Sequence, residues 1–351
     1  MPIIQAFLDR DHEVILASDG ESLDLLRTEY PQLESLVLPS YEVTYGSSLG
    51  FQWAILSQIP KFLRTIKKEQ KVLADYLKAN PVDQLISDNR WGCYSADCPS
   101  VFMTHQLFLK LGPRQKYLEK LLARFQARFL KRFTSCWVPD FEGSDNLSGD
   151  LSHPKKSSPY TIPISFIGPL SRFSLFSVNE RRTRRSDNET KESQLLFLLS
   201  GPEPARSIFE TLIVKQLYES GEKAVLVRGT KQGRPLAVVP PDLEIHELLS
   251  ARELYPLIQQ AKMIVCRSGY SSVMDMICLN KKAILVPTPG QTEQEYVADH
   301  LMSNPLFGTT AQENFNLLGQ LKARIENRRE ENELVLNDQL LAKAIDYLCD
   351  A

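Results

Sequence analysis

Over residues 1–170 and again over 195–302, this 351-residue chain alternates short apolar runs with longer amphipathic stretches, and that rhythm leaves few architectures open. Strands of a parallel sheet are buried on both faces and read as apolar runs, while the crossover helices between them read as amphipathic segments. In the first series, Pro2–Leu8 has helical apolar spacing, His12–Ala17 reads as a buried strand, and Glu21–Glu29 returns to helix after the Asp19-Gly20 turn. Gln84–Asp88 and Ser100–Thr104 read as strands ending in the polar pairs Asn89-Arg90 and His105-Gln106. Arg114–Phe133 reads as a helix with Leu118, Leu121, Leu122, Phe125 and Phe129 on one face, and Phe133–Val138 as the next strand. A doubly wound domain ordinarily opens with a strand and its loop; this series begins inside or just before the first helix, so one strand and one loop are expected to be absent.

A second, complete series runs from strand Leu195–Leu199 through the loop Ser200–Pro204, helix Ala205–Tyr218, strand Ala224–Arg228 and strand Leu243–Leu249. It continues with helix Glu253–Ala261, strand Met263–Cys266, helix Ser271–Leu279, strand Ala283–Val286 and helix Glu293–Met302. The length exceeds what one hydrophobic core supports. The charged, nearly apolar-free stretch Val178–Ser193 reads as an exposed connection. The expected division is 1–167, a Rossmann-like domain; 168–329, a second one; and 330–351, a terminal helix.

Composition narrows the function classes. A net charge of -2, with 24% charged residues, gives no electrostatic basis for nucleic-acid binding. Six cysteines are scattered without a CxxC pair or a histidine at ligand spacing, which points to neither zinc nor a disulfide framework and fits a reducing cytoplasm. No long apolar run and no basic-then-apolar leader are present, so the expectation is a cytoplasmic chain that is neither membrane-spanning nor exported.

The chemistry concentrates in Cys266-Arg267-Ser268-Gly269-Tyr270-Ser271-Ser272-Val273-Met274-Asp275 and in Pro287-Thr288-Pro289-Gly290-Gln291-Thr292-Glu293-Gln294. A strand that ends at a glycine turn and opens a helix presents free amides and a partial positive charge, suited to a diphosphate. Asp275 lies on the same helix, within reach of ribose hydroxyls, and Gln291, Glu293 and Gln294 would line a neighbouring loop able to hydrogen-bond a sugar. Taken singly, each has a structural reading: the serines as helix caps, Gly269 as a turn, Asp275 as a solvated carboxylate.

The run RSGYSSVMD followed by PTPGQTEQEY resembles the donor-binding C-terminal domain of family 28 glycosyltransferases, the group containing the peptidoglycan N-acetylglucosaminyltransferase. That resemblance implies a GT-B fold, two doubly wound Rossmann-like domains facing a cleft. It implies that Gly269, Tyr270, Ser271 and Ser272 hold the donor diphosphate, Asp275 the ribose, and Gln291, Glu293 and Gln294 the donor sugar. Arg172, four residues after Gly168, matches an arginine that contacts phosphate, and backbone around Ala251 would hold uracil. The glycine turn Ser200-Gly201 departs from the family because Pro202 and Pro204 offer no N–H donors. The family's opening glycine loop, with its proposed base histidine, has no counterpart here. Among the remaining histidines His105 is the candidate base, since it ends a strand; a buried, satisfied role is the alternative, His12 reads as structural, and His153 and His300 are weaker.

The implied activity is inverting, metal-independent transfer of a hexosyl group, such as N-acetylglucosamine, from a UDP-sugar to a hydroxyl acceptor, with no cofactor. Rival readings are a nucleotide-sugar epimerase, for which no pair of carboxylates can be assigned, and a UDP-sugar-binding protein without turnover. A start codon placed downstream of the missing strand is a further reading of the short N-terminal series. The basic side chains of 114–133, and Leu49, Phe51, Trp53 and Ile55 with the following Lys61, Arg64, Lys67 and Lys68, have two readings. Either these faces are core with solvated charges, or they contact an anionic inner-membrane surface carrying a lipid-linked acceptor.

Overall fold

A computed structural model describes residues 1–41, 51–111, 116–153, 159–176, 194–230, 233, 235–236, 238–326 and 339–349, the side chains of 51–59, Leu175 and 323–326 excepted. The connection read at 178–193, and the residues Leu49, Phe51, Trp53 and Ile55 as a possible apolar face, lie outside what is described. The chain forms two compact units, one of residues 1–168 with 337–351, the other of 169–336.

In the first unit β1 (Leu16–Ser18) pairs with β2 (Ser35–Val37) as a two-stranded parallel sheet. A separate parallel sheet has the order β3 (Leu85–Asp88), β4 (Ser100–Met103), β5 (Ser135–Val138), β6 (Ile164–Phe166). The helices are α1 (Pro2–Leu8), α2 (Gly20–Glu29), α3 (Phe51–Ala79) and α4 (Lys116–Leu130). A doubly wound sheet carries its first strand in the middle, in the order 3-2-1-4-5-6. Among the described residues no strand joins β1 to β3.

Two expectations are corrected. The strand read at His12–Ala17 starts only at Leu16, because the amides of Asp11 and His12 bond back to the carbonyls of Leu8 and Phe7 and prolong α1 into a turn, with Asp11 at φ 59°. The apolar stripe of α4 is also rotated from its expected position. The buried residues are Ala123, Ala127 and Leu130, whereas Leu121 is 41% and Phe125 36% exposed. Small side chains let the helix pack close, and the larger ones next to them are left outside.

The second unit holds one six-stranded parallel sheet. Its strands are β7 (Gln194–Leu198), β8 (Ala224–Val227), β9 (Leu243–His246), β10 (Ala261–Cys266), β11 (Ala283–Leu285) and β12 (Phe307–Thr309), in the order β12-β11-β10-β7-β8-β9. Counted from β7 this is the complete 3-2-1-4-5-6 arrangement, with its switch point between β7 and β10, which pair directly (Leu196 with Ile264, Leu198 with Cys266). Helices α5 (Ala205–Ser220), α6 (Ala251–Gln260), α7 (Tyr270–Cys278), α8 (Thr292–His300) and α9 (Leu317–Glu326) complete the unit. Leu195, Phe197, Phe209, Ile213, Leu226 and Val265 form a continuous core between sheet and helices, each at most 1% exposed. The chain then returns to the first unit as α10 (Gln339–Cys349), where Asp346 pairs with Arg10 at 3.0 Å.

Candidate functional site

The switch point of the second unit puts the carboxyl ends of β7 and β10 side by side, and β10 runs directly into the glycine turn. Gly269 is the N-cap of α7, with no side chain capping the helix. The amides of Tyr270, Ser271 and Ser272 are first-turn donors for which the helix itself has no acceptor. A Cβ built on Gly269 would meet nothing within 4 Å, so the turn borders open space. Ser271 is exposed and Ser272 half-buried, while the Tyr270 side chain is buried and serves the core. This is an electropositive, accessible helix start of the kind that takes an anion.

The neighbouring loop is tied to that turn. Ser268, almost wholly buried, donates its hydroxyl to the Gln294 carbonyl at 2.8 Å, and the Gln294 side chain accepts from the Thr288 amide at 2.9 Å. Gln294 is therefore one of the struts of the loop, with its remaining amide protons available. Gln291, the N-cap of α8, and Glu293 are half-buried beside it, and the Glu295 carboxylate accepts from the Gly290 amide at 2.9 Å.

Asp275 and Arg172 are brought together. The Asp275 carboxylate, on the second turn of α7 and 8% exposed, accepts from the Ser171 hydroxyl at 2.7 Å and stands 3.4 Å from Arg172 Nε. The latter is an ion-pair distance and short of a formed hydrogen bond. Burial pushes the Asp275 carboxyl above its usual range, with Arg172 and Ser171 pulling the other way. Ser171 was not legible in the sequence: a single serine 104 positions away carries no signal.

Arg267 was likewise missed as more than a strand end. It is fully buried and donates to the Val286, Pro287 and Ala205 carbonyls and to the Gln312 side chain, at 2.8–3.2 Å, with its guanidinium over the Phe209 ring. Burial lowers its pKa to about 10. One side chain thus joins β10, the loop after β11 and the start of α5.

The turn at Gly201 has other occupants than an anion. Glu203 receives the Ser207 amide (3.3 Å) and pairs with Arg206, while Glu210 pairs with both Arg206 and Arg228, all three of Arg206, Glu210 and Arg228 being buried. The start of α5 is thus already capped by its own carboxylate. Ala251 opens α6 behind a capping box formed by Ser250 and Glu253, after β9. In the first unit His105 follows β4, and Asp88 ends the neighbouring β3, in register with Met103. Desolvation raises the Asp88 carboxyl above its usual range, against the pull first of the N-terminal amine and then of His105. His12 packs edge-on to Phe7 and His300 stacks on Tyr296. Among the described residues no group of three or more His, Cys, Asp or Glu is placed to hold a metal, and no helix is long and apolar enough to cross a membrane.

Residues 232–339 match the glycosyltransferase family 28 C-terminal domain, a span that contains the glycine turn, Asp275 and the α8 loop. No curated protein matches the chain by sequence. Solved structures resemble it along its whole length. The glycotransferase of kitacinnamycin has a TM-score of 0.60 at 17% identity, covering 99% of this chain and 89% of that one. MurG of Acinetobacter baumannii has 0.53 at 14%, covering 99% and 94%, and the glycosyltransferase VinC, solved in complex with DTDP, has 0.56 at 14%, covering 100% and 91%. At these identities the likeness is one of fold, and the family match covers a large part of the second unit. Residues 232–339 thus match a family 28 glycosyltransferase C-terminal domain, and the chain has the GT-B fold, built of two Rossmann-like units.

Proposed function

We propose that the chain moves a hexosyl group, with N-acetylglucosamine the first candidate, from a UDP-sugar to a hydroxyl acceptor, inverting the anomeric carbon and using neither metal nor cofactor. The observation that carries this reading is the uncapped start of α7 at Gly269, at the switch point of a complete sheet. Its amides are suited to the diphosphate, and fixed donors aimed at a leaving group do the electrostatic work that a metal does elsewhere. Arg172 would take the second phosphate, releasing Asp275 to the ribose. Gln291, Glu293 and the free amide protons of Gln294 would meet the sugar, and the Ala251 backbone the uracil. The structurally similar glycosyltransferase VinC, solved in complex with DTDP, supports a nucleoside-diphosphate donor.

The acceptor is proposed to be lipid-linked and the chain to act in the cytoplasm at the inner membrane face. Supporting this, α4 exposes Tyr117, Leu121 and Phe125 as a ridge at i, i+4 and i+8, with Lys116, Lys120, Arg124 and Arg128 also exposed. Such a face suits an anionic interface, where each basic side chain contributes about 1 kcal/mol.

Titration calorimetry with UDP, dTDP and UDP-N-acetylglucosamine tests the donor; binding of none of them would remove the reading. NMR of the sugar nucleotide incubated without acceptor separates transfer from epimerisation, because only an epimerase converts the sugar in place.

A further inference from the structure

Among the described residues Arg206, Arg228 and Arg267 are the buried arginines, all in the second unit, and they are not alike. Arg206 pairs with Glu203 and Glu210, and Arg228 with Glu210. Arg267, at 0% exposure, pairs with no carboxylate among the described residues, and burial is the one influence on its titration. Its Nη1 donates to the Val286 and Pro287 carbonyls and its Nη2 to the Ala205 carbonyl and the Gln312 side chain, while Nε is buried without a hydrogen-bond partner. Carbonyl dipoles and the Phe209 ring offer partial charges only. With a pKa lowered no further than about 10, the guanidinium stays charged at neutral pH, and burying a charge without its counter-ion is costly.

The unmatched charge lies at the carboxyl edge of the sheet. Arg267 follows Cys266, which is in register with Leu285 and Leu198, and precedes Gly269 by two residues, so the two Cα atoms are within about 7 Å of each other. Its acceptors belong to the same edge: Val286 and Pro287 follow β11, and Ala205 opens α5. Thr288, next in line, keeps a second buried oxygen without a hydrogen-bond partner. The carboxylates around this edge are engaged elsewhere, Glu203 and Glu210 with Arg206, Asp275 with Ser171 and Arg172, and Glu295 with the Gly290 amide. The first-turn amides of α7 add partial positive charge of their own, and the Gly269 turn borders open space. A buried guanidinium is screened less than a surface one, so its field persists at that opening.

We propose that the diphosphate of the donor is the counter-ion of Arg267, which draws the anion onto the amides of Tyr270, Ser271 and Ser272 without touching it; this rests on the UDP-sugar reading above. Arg267 is then a positioning residue as well as a strut. The two roles are separable, because the strut depends on where its donors point and the counter-ion role depends on its net charge.

The test is titration calorimetry of the full chain with UDP at neutral pH, with melting temperatures measured in parallel. Gln312→Glu is isosteric and sets a carboxylate where the Gln312 side chain accepts from Arg267 at 2.8 Å. A built-in counter-ion should raise the melting temperature by about 2 °C or more and lower UDP affinity by about tenfold. Gln312→Leu, which removes the acceptor and adds no charge, should lower the melting temperature and keep UDP affinity within about threefold. A purely structural arginine predicts the opposite coupling, since the better-held strut would bind UDP at least as well as the wild type. Arg267→Met should lose about tenfold in UDP affinity, and Arg267→Lys, which keeps the charge, should recover most of it. The Gln312 pair decides the matter if Arg267→Met does not fold. Undiminished UDP affinity in Gln312→Glu, or an equal loss in Gln312→Leu, would overturn the proposal. A wild type that binds no UDP would instead overturn the donor reading beneath it.

Discussion

The Ser171 hydroxyl donates to the Asp275 carboxylate at 2.7 Å, fastening the segment just after Gly168 to the second turn of α7. Arg172, the next residue, is thereby held 3.4 Å from the same carboxylate. A hydrogen bond to a charged group is worth about 1.5–3 kcal/mol, so Ser171→Ala should lower unfolding free energy by about that much in urea titration. If the pair also presents Arg172 to a diphosphate, UDP affinity in Ser171→Ala should fall about tenfold, equivalent to about 1.4 kcal/mol, and more in Asp275→Ala. Unchanged UDP affinity in both variants would separate this pair from the donor.

Asp140 and Asp275 are both buried, but their carboxyls shift in opposite directions, and stability should follow with opposite signs. Asp140 is depressed, so the unfolded chain binds more protons in its window. Its contribution is present above the unfolded value of about 3.9 and is lost as pH falls through the lower folded one. Asp275 is raised, so the native chain binds more protons. Its contribution is present below about 3.9 and is lost as pH rises through the folded value. Denaturation of Asp140→Asn and Asp275→Asn across acidic pH should therefore show the gap to wild type widening with pH in favour of wild type for Asp140, and moving in favour of the variant for Asp275. Parallel gaps would refute the contrast.

The βα rhythm and the glycine turn were legible because both are local: buried parallel strands read as apolar runs, and a strand-glycine-serine sequence opening a helix announces itself within ten residues. What escaped depends on long-range partners. Ser171 has meaning only through Asp275, and Arg267 only through carbonyls on other elements. Asp140 and His153, 13 positions apart in a polar loop, meet only because Gly149 turns the chain between them. The α4 stripe was misplaced for a different reason. Spacing finds the apolar sector of a helix but cannot tell that Ala123, Ala127 and Leu130 are buried while Leu121 and Phe125 stay exposed.

That exposed ridge gives a separable prediction. Leu121→Asp with Phe125→Asp should change stability by no more than about 0.5 kcal/mol, as substitutions on an exposed surface usually do. The same pair should abolish co-sedimentation with vesicles rich in anionic lipid, and charge reversal at Lys120, Arg124 and Arg128 should remove about 1 kcal/mol of binding per position. A marked drop in melting temperature would place the ridge in the core after all, and undiminished sedimentation would remove α4 from membrane contact.

Arg267 makes the strongest stability prediction. Its removal leaves three backbone carbonyls and the Gln312 side chain without their buried donor. An unsatisfied buried group costs about 1–3 kcal/mol, so Arg267→Met should lose about 3 kcal/mol or more despite its similar length and apolar stem. Arg267→Lys should recover only part, because an ammonium cannot reach the same acceptors in one plane. Urea unfolding of both variants measures this, and a loss below about 1 kcal/mol for Arg267→Met would show the network to be dispensable.

Gly269 permits the cleanest separation of fold from ligand. Its φ of -65° is ordinary for any residue, and an added Cβ meets no atom within 4 Å. Gly269→Ala should therefore leave stability unchanged or raise it by about 0.4–1 kcal/mol, since alanine has less conformational freedom to lose on folding. The open space that tolerates the methyl is, however, where a diphosphate would approach the amides of Tyr270, Ser271 and Ser272. A single methyl there keeps an anion from close contact with donors that act over about 3 Å, so UDP affinity should fall by at least about tenfold, with circular dichroism and melting temperature preserved. A variant that folds and binds UDP as tightly as the wild type would show that the start of α7 does not hold the donor, and the diphosphate would have to be sought elsewhere on the second unit.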